Sequence, residues 1–521
     1  MDIKRFLPET ILSLLASKKD LSKGVFLRGT TIFADISGFT QISEALQKIG
    51  KEGSEILTRT LNFYFNKIIS IIYENDGDII RFAGDAITAF FEEKEKAIKA
   101  SERIISFFKE NEIAKTPFGN YSIRIKIGAA SGLHSLIIVG DENFDYVFAG
   151  NPIDWAAEAE HQAIPGEIII SNKEENLDLE YFRPERSKED LNNEFLRKFI
   201  HPILYEKISS GYLELINEHR KASIIFLSFK GIKNYYDFEE LKKIQDFYLE
   251  VRKKVDHWEG FINKVDCGDK GSKFLITFGA PVSHEDDSDR AIFLCQEILK
   301  ISKEKDLKVS IGVNYGTIFS GIIGNEKRCE YTVMGDSVNL AARLMQFAGE
   351  DEAIYSESIS KEAKTFSFEK LREIFVKGKK EPVSIFKIST KKEEKEKEFF
   401  YGRKKEIEGV FSFLKEGKNI FFITGEVGIG KTSFFYKVIE GLKDSKVFYF
   451  KAQEIFKETP FYFIKKILKE IIEEESLNIF EILKEKELEE FSFVLLDFLE
   501  IEHNFKKLEL EENTKKALIQ R

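Results

Sequence analysis

The 521-residue sequence predicts three α/β regions, of which the first two are copies of one sandwich. Three observations predict this class. Strand-like apolar runs alternate with helix-like runs, the same order of runs occurs twice, and a glycine-rich loop follows a third strand. Alternating strands and helices are typical of α/β layers, and a repeated order indicates an internal duplication. At roughly 100 to 200 residues per domain, the length also fits about three domains.

The first copy begins with a β-type run at 31–34 and continues into a long helix. A hairpin follows, with strands at 78–82 and 86–91 around a tight turn at 83–85. The helix is predicted from apolar residues at helical spacing, namely Leu57, Leu61, Tyr64, Phe65, Ile68 and Ile72. The remaining elements are a helix at about 94–111, strands at 123–128 and 136–139, a helix from Pro152 and a strand at 167–170.

The second copy repeats this order from Ser223 onward. Its strands are predicted at 261–264, 273–278, 308–312 and 353–355. A helical linker joins the copies, and a charged run at 391–398 is expected to be a solvated hinge. The predicted domains are an N-terminal helical segment (1–27), the first copy (28–185), the linker (186–220), the second copy (221–390), a charged linker (391–399) and the third region (400–521).

Composition excludes several classes of protein. The hydrophobic share of 43% is ordinary for a globular chain, and the net charge of -10 argues against a nucleic-acid partner. Three cysteines without metal-ligand spacing indicate a reducing compartment. The apolar stretch 11–16 is too short for a signal peptide, and no run approaches the ~20 apolar residues of a membrane span. We therefore expect a cytoplasmic protein without a membrane span.

Two aspartates of the first copy occupy positions that suit a metal site. Asp35 lies where the first strand gives way to a helix, and Asp85 lies in the hairpin turn. Carboxylates are hard oxygen ligands of the kind that divalent cations prefer, and two such ions can assist an in-line displacement at phosphorus. Between strand and helix, four backbone amides open a helix N-terminus, where phosphates bind. These amides belong to Ser37, Gly38, Phe39 and Thr40.

The second copy lacks these carboxylates but carries other polar residues. Ser228 stands where the first copy has Asp35, and the acid nearest to the second hairpin turn is Asp269. When Gly150 is aligned with Gly335, each copy has lost what the other keeps, which predicts one working site shared by both. Under this alignment Lys264, Thr332, Asn339 and Arg343 correspond to Arg81, Val147, Asp154 and Glu158.

Both copies resemble class III nucleotidyl cyclase domains, and together they are similar to the tandem pair of soluble adenylyl cyclases. The resemblance covers roughly residues 28–390 and implies ferredoxin-like cyclase sandwiches docked as a pseudo-twofold pair within one chain. It implies that two Mg²⁺ or Mn²⁺ ions bind at Asp35, Ile36 and Asp85. Lys264 and Thr332 would read adenine, Asn339 would orient the ribose, and Arg343 would stabilise the reacting α-phosphate.

The implied reaction converts ATP into cyclic AMP and pyrophosphate. A lysine can donate to an adenine ring nitrogen and a threonine hydroxyl can accept from the exocyclic amine, whereas guanine has a carbonyl at that place. Arg343 follows Asn339 by four residues, so both project from one helix face. A fixed cation there stabilises charge that grows in the transition state.

The degenerate site of soluble adenylyl cyclases binds bicarbonate through a lysine and an arginine. In this chain the lysine position holds Arg81, and the arginine position falls on Ala157. Arg81 keeps one cation at this regulatory position, while the second is missing. A small anion such as bicarbonate is therefore a doubtful effector by sequence.

Residues 425–432 match the phosphate-loop pattern. They follow a strand predicted at 419–424 and precede a helix, which is the context that the pattern requires. Lys431 would reach the β- and γ-phosphates of a second ATP, and Thr432 its metal. The glycines of the pattern are Gly425, Gly428 and Gly430.

Hydrolysis at this loop is less well supported. The acidic residue that an NTPase needs has one candidate, Asp497, and the surrounding segment 494–498 favours an amphipathic helix over a strand. About 90 residues follow the loop, so we expect a truncated domain. Gly402 and Arg403 resemble the entry motif of signal-transduction ATPases with numerous domains, which implies regulatory nucleotide sensing.

Three alternatives remain open. The cyclase pair could be a catalytically silent nucleotide-binding switch or scaffold, against which the retention of all six functional residues counts. It could be an accessory sensor of an ATPase-type switch, which activity of a chain ending near Thr390 would contradict. It could be a guanylate cyclase, which Lys264 and Thr332 oppose and which competition between ATP and GTP would test.

Overall fold

The computed structural model describes most of the first 390 residues and parts of the remainder. The described residues are 3–17, 24–47, 49, 51–175, 177–184, 191–209, 217–268, 271–376, 381–389, 402–415, 421–424, 431–442, 468, 496 and 499. The chain divides into two compact units, Met1–Thr390 and Lys391–Arg521. Within the described ranges, no helix combines the length and apolar character that crossing a bilayer requires.

The first half of the larger unit is a mixed α/β layer structure. Its helices are α1 (Glu9–Ala16), α2 (Phe39–Gln47), α3 (Lys51–Glu74), α4 (Lys94–Glu110) and α5 (Asn151–Gln162). Its strands are β1 (Val25–Ser37), β2 (Asp78–Ala83), β3 (Ala86–Phe91), β4 (Ile113–Thr116), β5 (Gly119–Ser122), β6 (Arg124–Val139), β7 (Asp145–Ala149) and β8 (Ile168–Ile170). The predicted long helix is α3, whose apolar face is buried from Leu57 to Ile72.

The second half repeats the arrangement after short linker helices. The linker contains α6 (Asn193–Leu196), a 3₁₀ turn (Arg197–Phe199) and α7 (Pro202–Ser209). The helices that follow are α8 (Phe238–His257), α9 (Asp287–Glu304), α10 (Asp336–Phe347) and α11 (Glu357–Glu362). The strands are β9 (Glu218–Lys230), β10 (Phe261–Gly268), β11 (Gly271–Phe278), β12 (Lys308–Gly324), β13 (Cys329–Met334), β14 (Glu352–Ser356), β15 (Phe368–Ile374) and β16 (Val383–Ile388).

The two sheets share one strand order. The first runs β2-β3-β1-β6-β7, with β8 also paired to β6. The second runs β10-β11-β9-β12-β14, extended by β16 and β15, with β13 also paired to β12. In each half the long central strand pairs antiparallel with one short strand and parallel with another. The duplicated order of elements predicted from the sequence is therefore present in the fold.

Several predicted boundaries were wrong because strand pairing extends past the apolar runs. The strands predicted at 123–128 and 136–139 are one strand, β6, since β1 pairs with it continuously from Val25 to Ser37. Strand β1 therefore begins inside the predicted N-terminal helical segment. Strand β9 likewise begins at Glu218, inside the predicted linker, because Glu218 pairs with Ser320 of β12. The run predicted at 308–312 continues to Gly324.

The smaller unit contains α12 (Lys404–Lys415) and α13 (Lys431–Gly441) among its described residues. The strand predicted at 419–424 is wrong for its described part, because residues 421–424 form no regular structure. Within that part no neighbouring strand pairs with them, and Phe422 is 82% exposed. The phosphate-loop glycines Gly425, Gly428 and Gly430, the charged run 391–398 and most of the segment around Asp497 lie outside the described residues.

The hydrophobic core of the first half includes side chains from the second half. Phe319, Ile323 and Met334 of the second half are almost fully buried in the cluster formed mainly by α3, α4 and the first sheet. Fully burying such side chains contributes roughly 1.5 to 3 kcal/mol each. Burial of this kind fixes the second sheet against the first, and the side chain of Lys264 on β10 reaches the backbone of Phe82 near the end of β2.

Candidate active site

Asp35, near the end of β1, and Asp85, in the turn between β2 and β3, lie at the same end of the first sheet. Asp35 pairs in register with Ala86, the residue after Asp85. The backbone N–H of Ile36 donates to the carbonyl oxygen of Asp85 at 3.1 Å. This bond fixes the hairpin turn beside the end of β1, so the two carboxylates and the Ile36 backbone share one region.

The electrostatics of this pair fit a cation site. Burial, the Asp85 carboxylate and Glu160 raise the pKa of Asp35 to about 7. Burial also raises the pKa of Asp85 to about 6, with a further contribution from Glu160. Burial first, and neighbouring carboxylates second, disfavour the charged forms of both aspartates, and a bound divalent cation would favour them.

The protein itself supplies one cation beside Asp35. Lys126, directly opposite Asp35 in the pairing of β1 and β6, places its Nζ 3.9 Å from the Asp35 Oδ2. The same ammonium forms an ion pair with the buried Glu160 carboxylate. Sequence reasoning missed Lys126, because its neighbour is identified only by the register of two strands about 90 residues apart.

The donor set fits Mg²⁺ or Mn²⁺ in type. Asp35 and Asp85 offer hard carboxylate oxygens, and Ile36 offers a backbone oxygen. Among the residues described, no group of three or more His, Cys, Asp or Glu side chains could hold a metal ion. Ions bound here would depend on the two carboxylates together with backbone, water and substrate oxygens, as Mg²⁺ in phosphate sites commonly does.

The predicted phosphate-binding turn has the expected backbone. Strand β1 ends at Ser37, Gly38 has a φ of +95°, and helix α2 begins at Phe39. A Cβ atom on Gly38 would lie 2.1 Å from the backbone oxygen of Ser122, so only glycine fits this turn. The side chains of Phe39 and Thr40 lie outside the described part of the chain.

One cavity of about 190 Å³ joins the two halves. It brings together three of the predicted residues, Asp85 from the first half and Lys264 and Asn339 from the second. Asp35, Thr332 and Arg343 are not among its lining residues. The rest of the lining is formed by Ser43, Ala83, Gly84, Phe226, Asp266, Lys273, Phe274, Leu275, Val333, Met334, Gly335 and Val338.

Lys264 is held by contacts from both halves. Its Nζ donates to the backbone oxygen of Phe82 in the first half and lies 3.4 Å from the Thr332 hydroxyl. The Glu330 carboxylate is 4.0 Å away. Thr332 is fully buried and is not among the residues that line the cavity.

Helix α10 presents Asn339 and Arg343 on successive turns. It begins after Gly335, whose φ is +127°, just as α5 begins after Gly150 at +130°. This shared geometry supports the alignment of the two copies. Arg343 is partly buried, and no carboxylate in the described residues lies within ion-pair distance of its guanidinium.

Arg81 is engaged by protein carboxylates. Its guanidinium forms an ion pair with Asp145, donates to the Tyr146 carbonyl at 2.7 Å and lies 3.7 Å above the Tyr146 ring. Asp266 and Glu330 are 3.7 and 3.9 Å away. Arg81 lines a second cavity of about 90 Å³, to which Asp145 and Glu330 also contribute. Lys198 and Arg252 line the same cavity. A small anion bound beside Arg81 would also meet the Asp145 and Glu330 carboxylates.

Sequence reasoning also missed Asp266 and Lys273. They are register partners on β10 and β11, and both line the larger cavity. A charged residue at alternate positions of an otherwise apolar strand was the available signal. Lys431 and Thr432 of the third region begin helix α13, and the Thr432 side chain is outside the described part.

Comparison with known proteins identifies a family for this chain. The adenylate and guanylate cyclase catalytic domain family matches residues 27–191 and 215–390. Adenylate cyclase type 10 of Homo sapiens is 28% identical over 393 residues, covering 62% of this chain and 24% of the human protein. The enzyme of Rattus norvegicus is 28% identical over 397 residues, covering 61% and 24%. The chain thus spans about a quarter of the length of these relatives.

Solved structures of similar proteins include the adenylyl cyclase CyaB from Pseudomonas aeruginosa, at 22% identity and a TM-score of 0.32. That match covers 34% of this chain and 97% of CyaB. A class III adenylyl cyclase-like ATP-binding protein from the same organism has 13% identity and a TM-score of 0.47, covering 68% and 92%. Because the family match spans both halves of the larger unit, the chain belongs to the adenylate and guanylate cyclase catalytic domain family and carries that domain twice.

Proposed function

We propose that this chain converts ATP into 3′,5′-cyclic AMP and pyrophosphate in the cavity between its two halves. The observation that carries the proposal is the meeting of Asp85 with Lys264 and Asn339 on the walls of one cavity. Metal-binding character comes from one half and nucleotide-binding character from the other, so each half needs its partner. The similarity to proteins named adenylate cyclase type 10 supports ATP as the nucleotide.

In this proposal the acidic residues of the first half hold metal ions, and its amides and Lys126 contact negatively charged groups. Asp35, Asp85 and the Ile36 backbone would hold two Mg²⁺ or Mn²⁺ ions, which would lower the cost of deprotonating the ribose 3′-hydroxyl and of releasing pyrophosphate. Amides at the start of α2 would bind phosphate oxygens, and Lys126 adds a cation beside Asp35.

The second half would position the nucleotide and stabilise the charge that develops in the transition state. Lys264 would donate to the purine ring, and Asn339 would orient the ribose so that the 3′-oxygen faces the α-phosphorus. The 3′-oxygen gives its proton to water and bonds to that phosphorus, while the α-phosphorus–oxygen bond breaks and pyrophosphate leaves. Arg343 would stabilise the negative charge that grows on the α-phosphate oxygens.

The third region has a separate proposed role. Its loop pattern at 425–432, followed by helix α13 from Lys431, supports binding of a second ATP. We assign it a regulatory role in nucleotide sensing, because the proposed cyclase residues all lie before Thr390.

The test is to incubate the full chain with ATP and Mn²⁺ and to measure cyclic AMP. Asp85→Asn and Arg343→Ala are each expected to lower kcat at least 100-fold, since they remove a metal ligand and a transition-state cation. Matched controls are Asp306→Asn, in an exposed turn with a φ of +52° that asparagine tolerates, and Arg372→Ala on an exposed strand position.

Absence of cyclic AMP from the wild-type chain, or full activity in Asp85→Asn, would refute the proposal. Competition between ATP and GTP in the same mixture separates adenylate from guanylate cyclase activity. Bound but unconverted nucleotide would instead support the silent switch.

A further inference from the structure

A buried guanidinium ties three parts of the larger unit together. Arg328, directly before β13, is fully buried. Its Nη1 donates to the carbonyl oxygen of Phe6 at 2.9 Å, and its Nε donates to that of Ile79 at 3.1 Å. Its Nη2 donates to the carbonyl oxygen of Ile80 at 3.3 Å and to the Glu330 carboxylate at 3.0 Å. One side chain of the second half therefore holds both the N-terminal residues and strand β2 of the first.

The N-terminal residues are bonded to β2 a second time, through Asp78. Helix α1 follows Pro8, which supplies no side-chain cap. Instead the Thr10 N–H donates to Oδ2 of Asp78 at 2.7 Å, and the Tyr73 hydroxyl donates to Oδ1 at 2.9 Å. A carboxylate at a helix N-terminus satisfies a free backbone donor and interacts favourably with the helix dipole. Asp78 is 7% exposed, so this capping contact is shielded from water.

The apolar side chains of the same residues cover the seam between the halves. Residues 3–17 form what we call the N-terminal strap. Ile11 and Leu14 of the strap are at most 1% exposed. They belong to a cluster that also contains Leu204 of the linker and Phe261 and Tyr331 of the second half. The strap is thus held by burial as well as by hydrogen bonds, and its partners come from both halves.

The two strands that the strap and Arg328 join lead into the walls of the cavity between the halves. Strand β2 runs through Phe82, whose carbonyl oxygen accepts from Lys264, to the turn that holds Asp85. Strand β13 leads through Gly335 into α10 and Asn339. The spacing of β2 and β13 therefore sets the distance between the carboxylate proposed to bind metal and the amide proposed to orient the ribose.

We infer that the N-terminal strap is a conformational device that sets the catalytic rate, with Asp78 and Arg328 as its positioning residues. The docked strap holds β2 against β13 at the spacing that the reaction needs. Displacement of the strap leaves both strands in their sheets but lets one wall of the cavity move relative to the other. A shift of about 1 Å between reacting groups can cost a factor of ~100 in rate. The inference rests on the proposed cyclase function and adds to it a place, outside the cavity, at which the rate can be controlled.

The test uses the full chain with Asp78→Asn, which keeps the shape of the side chain but offers one acceptor oxygen where two donors converge. Hydrogen exchange of the α1 backbone amides reports whether the strap is docked. Values of kcat and KM for ATP are measured with Mn²⁺, and kcat is expressed per folded molecule. The matched control is Asp76→Asn, because the Asp76 side chain is 60% exposed and asparagine tolerates its φ of +58°.

In Asp78→Asn we expect exchange of the α1 amides to rise at least about 10-fold and kcat per folded molecule to fall at least about 10-fold. The KM for ATP should stay within about 3-fold, because each half keeps the groups that bind the nucleotide. A strap that only stabilised the fold would lower the folded fraction and leave kcat per folded molecule unchanged. Leu14→Ala weakens the strap through burial and leaves Asp78 intact, so it should change exchange and kcat in the same direction.

Faster α1 exchange with an unchanged kcat per folded molecule, in either variant, would overturn the inference. Unchanged exchange in both variants would also overturn it, since the strap would then not depend on these contacts. If Asp78→Asn does not fold, Leu14→Ala alone decides between these outcomes. Absence of cyclic AMP from the wild-type chain would instead refute the proposed function, while hydrogen exchange would still report the docking of the strap.

Discussion

At the scale of single residues, burial decides which polar groups can act. Arg328 is fully buried, and its guanidinium donates to the backbone oxygens of Phe6, Ile79 and Ile80 and to Glu330. The guanidinium of Arg328 therefore binds protein groups and is not available to a ligand. Asp266 and Arg343 are partly exposed, and a ligand can reach them. The residue type alone does not tell a buried structural charge from an accessible one.

His134 supplies a pH-dependent term in stability. It is fully buried, its Nε2 lies 2.7 Å from the Thr31 hydroxyl, and its ring stacks on Phe148. Burial lowers its pKa from 6.5 to about 3. Between these values the unfolded chain binds a proton that the folded chain does not. The stability contributed by neutral His134 is therefore complete above about pH 6.5 and is lost as the pH falls towards 3.

We expect urea unfolding to show this difference. Between pH 6.5 and 5.0, the free energy of unfolding of the wild-type chain should fall by about 2 kcal/mol more than that of His134→Gln. His257→Gln, at an exposed position, should follow the wild type. Parallel pH dependence in wild type and His134→Gln would contradict the prediction.

At the scale of elements, close packing of helix on strand positions the site. Helix α10 lies against β12 at Gly312, where a Cβ atom would be 2.1 Å from the Met345 backbone nitrogen and 2.3 Å from the Ala341 oxygen. Gly128 on β6 has the same relation to α5 in the first half. Glycine at this place lets the helix that carries Asn339 and Arg343 approach the sheet.

Gly312→Ala should therefore displace α10. We expect a loss of about 1 to 3 kcal/mol in the free energy of unfolding, because backbone atoms must shift to admit the methyl group. A reduced cyclisation rate should accompany it. Gly349→Ala is the control, since its Cβ would meet only the end of the Glu352 side chain at 3.1 Å. An unchanged free energy of unfolding in Gly312→Ala would contradict the close approach of α10 to β12 at this position.

At the scale of the whole molecule, the proposed catalytic residues all belong to the unit Met1–Thr390. A chain ending at Thr390 should make cyclic AMP within about 3-fold of the full-length rate, because the proposed catalytic residues and the described residues that line the cavity all lie within this unit. The rate is measured with ATP and Mn²⁺, and the same truncation with Asp85→Asn serves as the inactive control. Loss of activity on truncation would favour the ATPase-type switch.

The duplication, the order of elements and the complementary loss of residues between the halves could all be predicted from the sequence. Strand-to-helix turns at Gly38, Gly150 and Gly335 were recognisable because they need local backbone conformations. The sequence also predicted that Asn339 and Arg343 lie on one helix, because helical spacing is a local property.

Which side chains meet could not be predicted from the sequence, because these contacts depend on long-range packing. The pairing of Lys126 with Asp35, the burial of Thr332, the carboxylates around Arg81 and the presence of Asp266 and Lys273 on the cavity all depend on strand register and on how the two sheets pack. Such contacts join residues far apart in the chain, and no local pattern encodes them. The type of reaction could therefore be predicted from the sequence. Which polar groups a substrate can reach depends on how the two sheets pack.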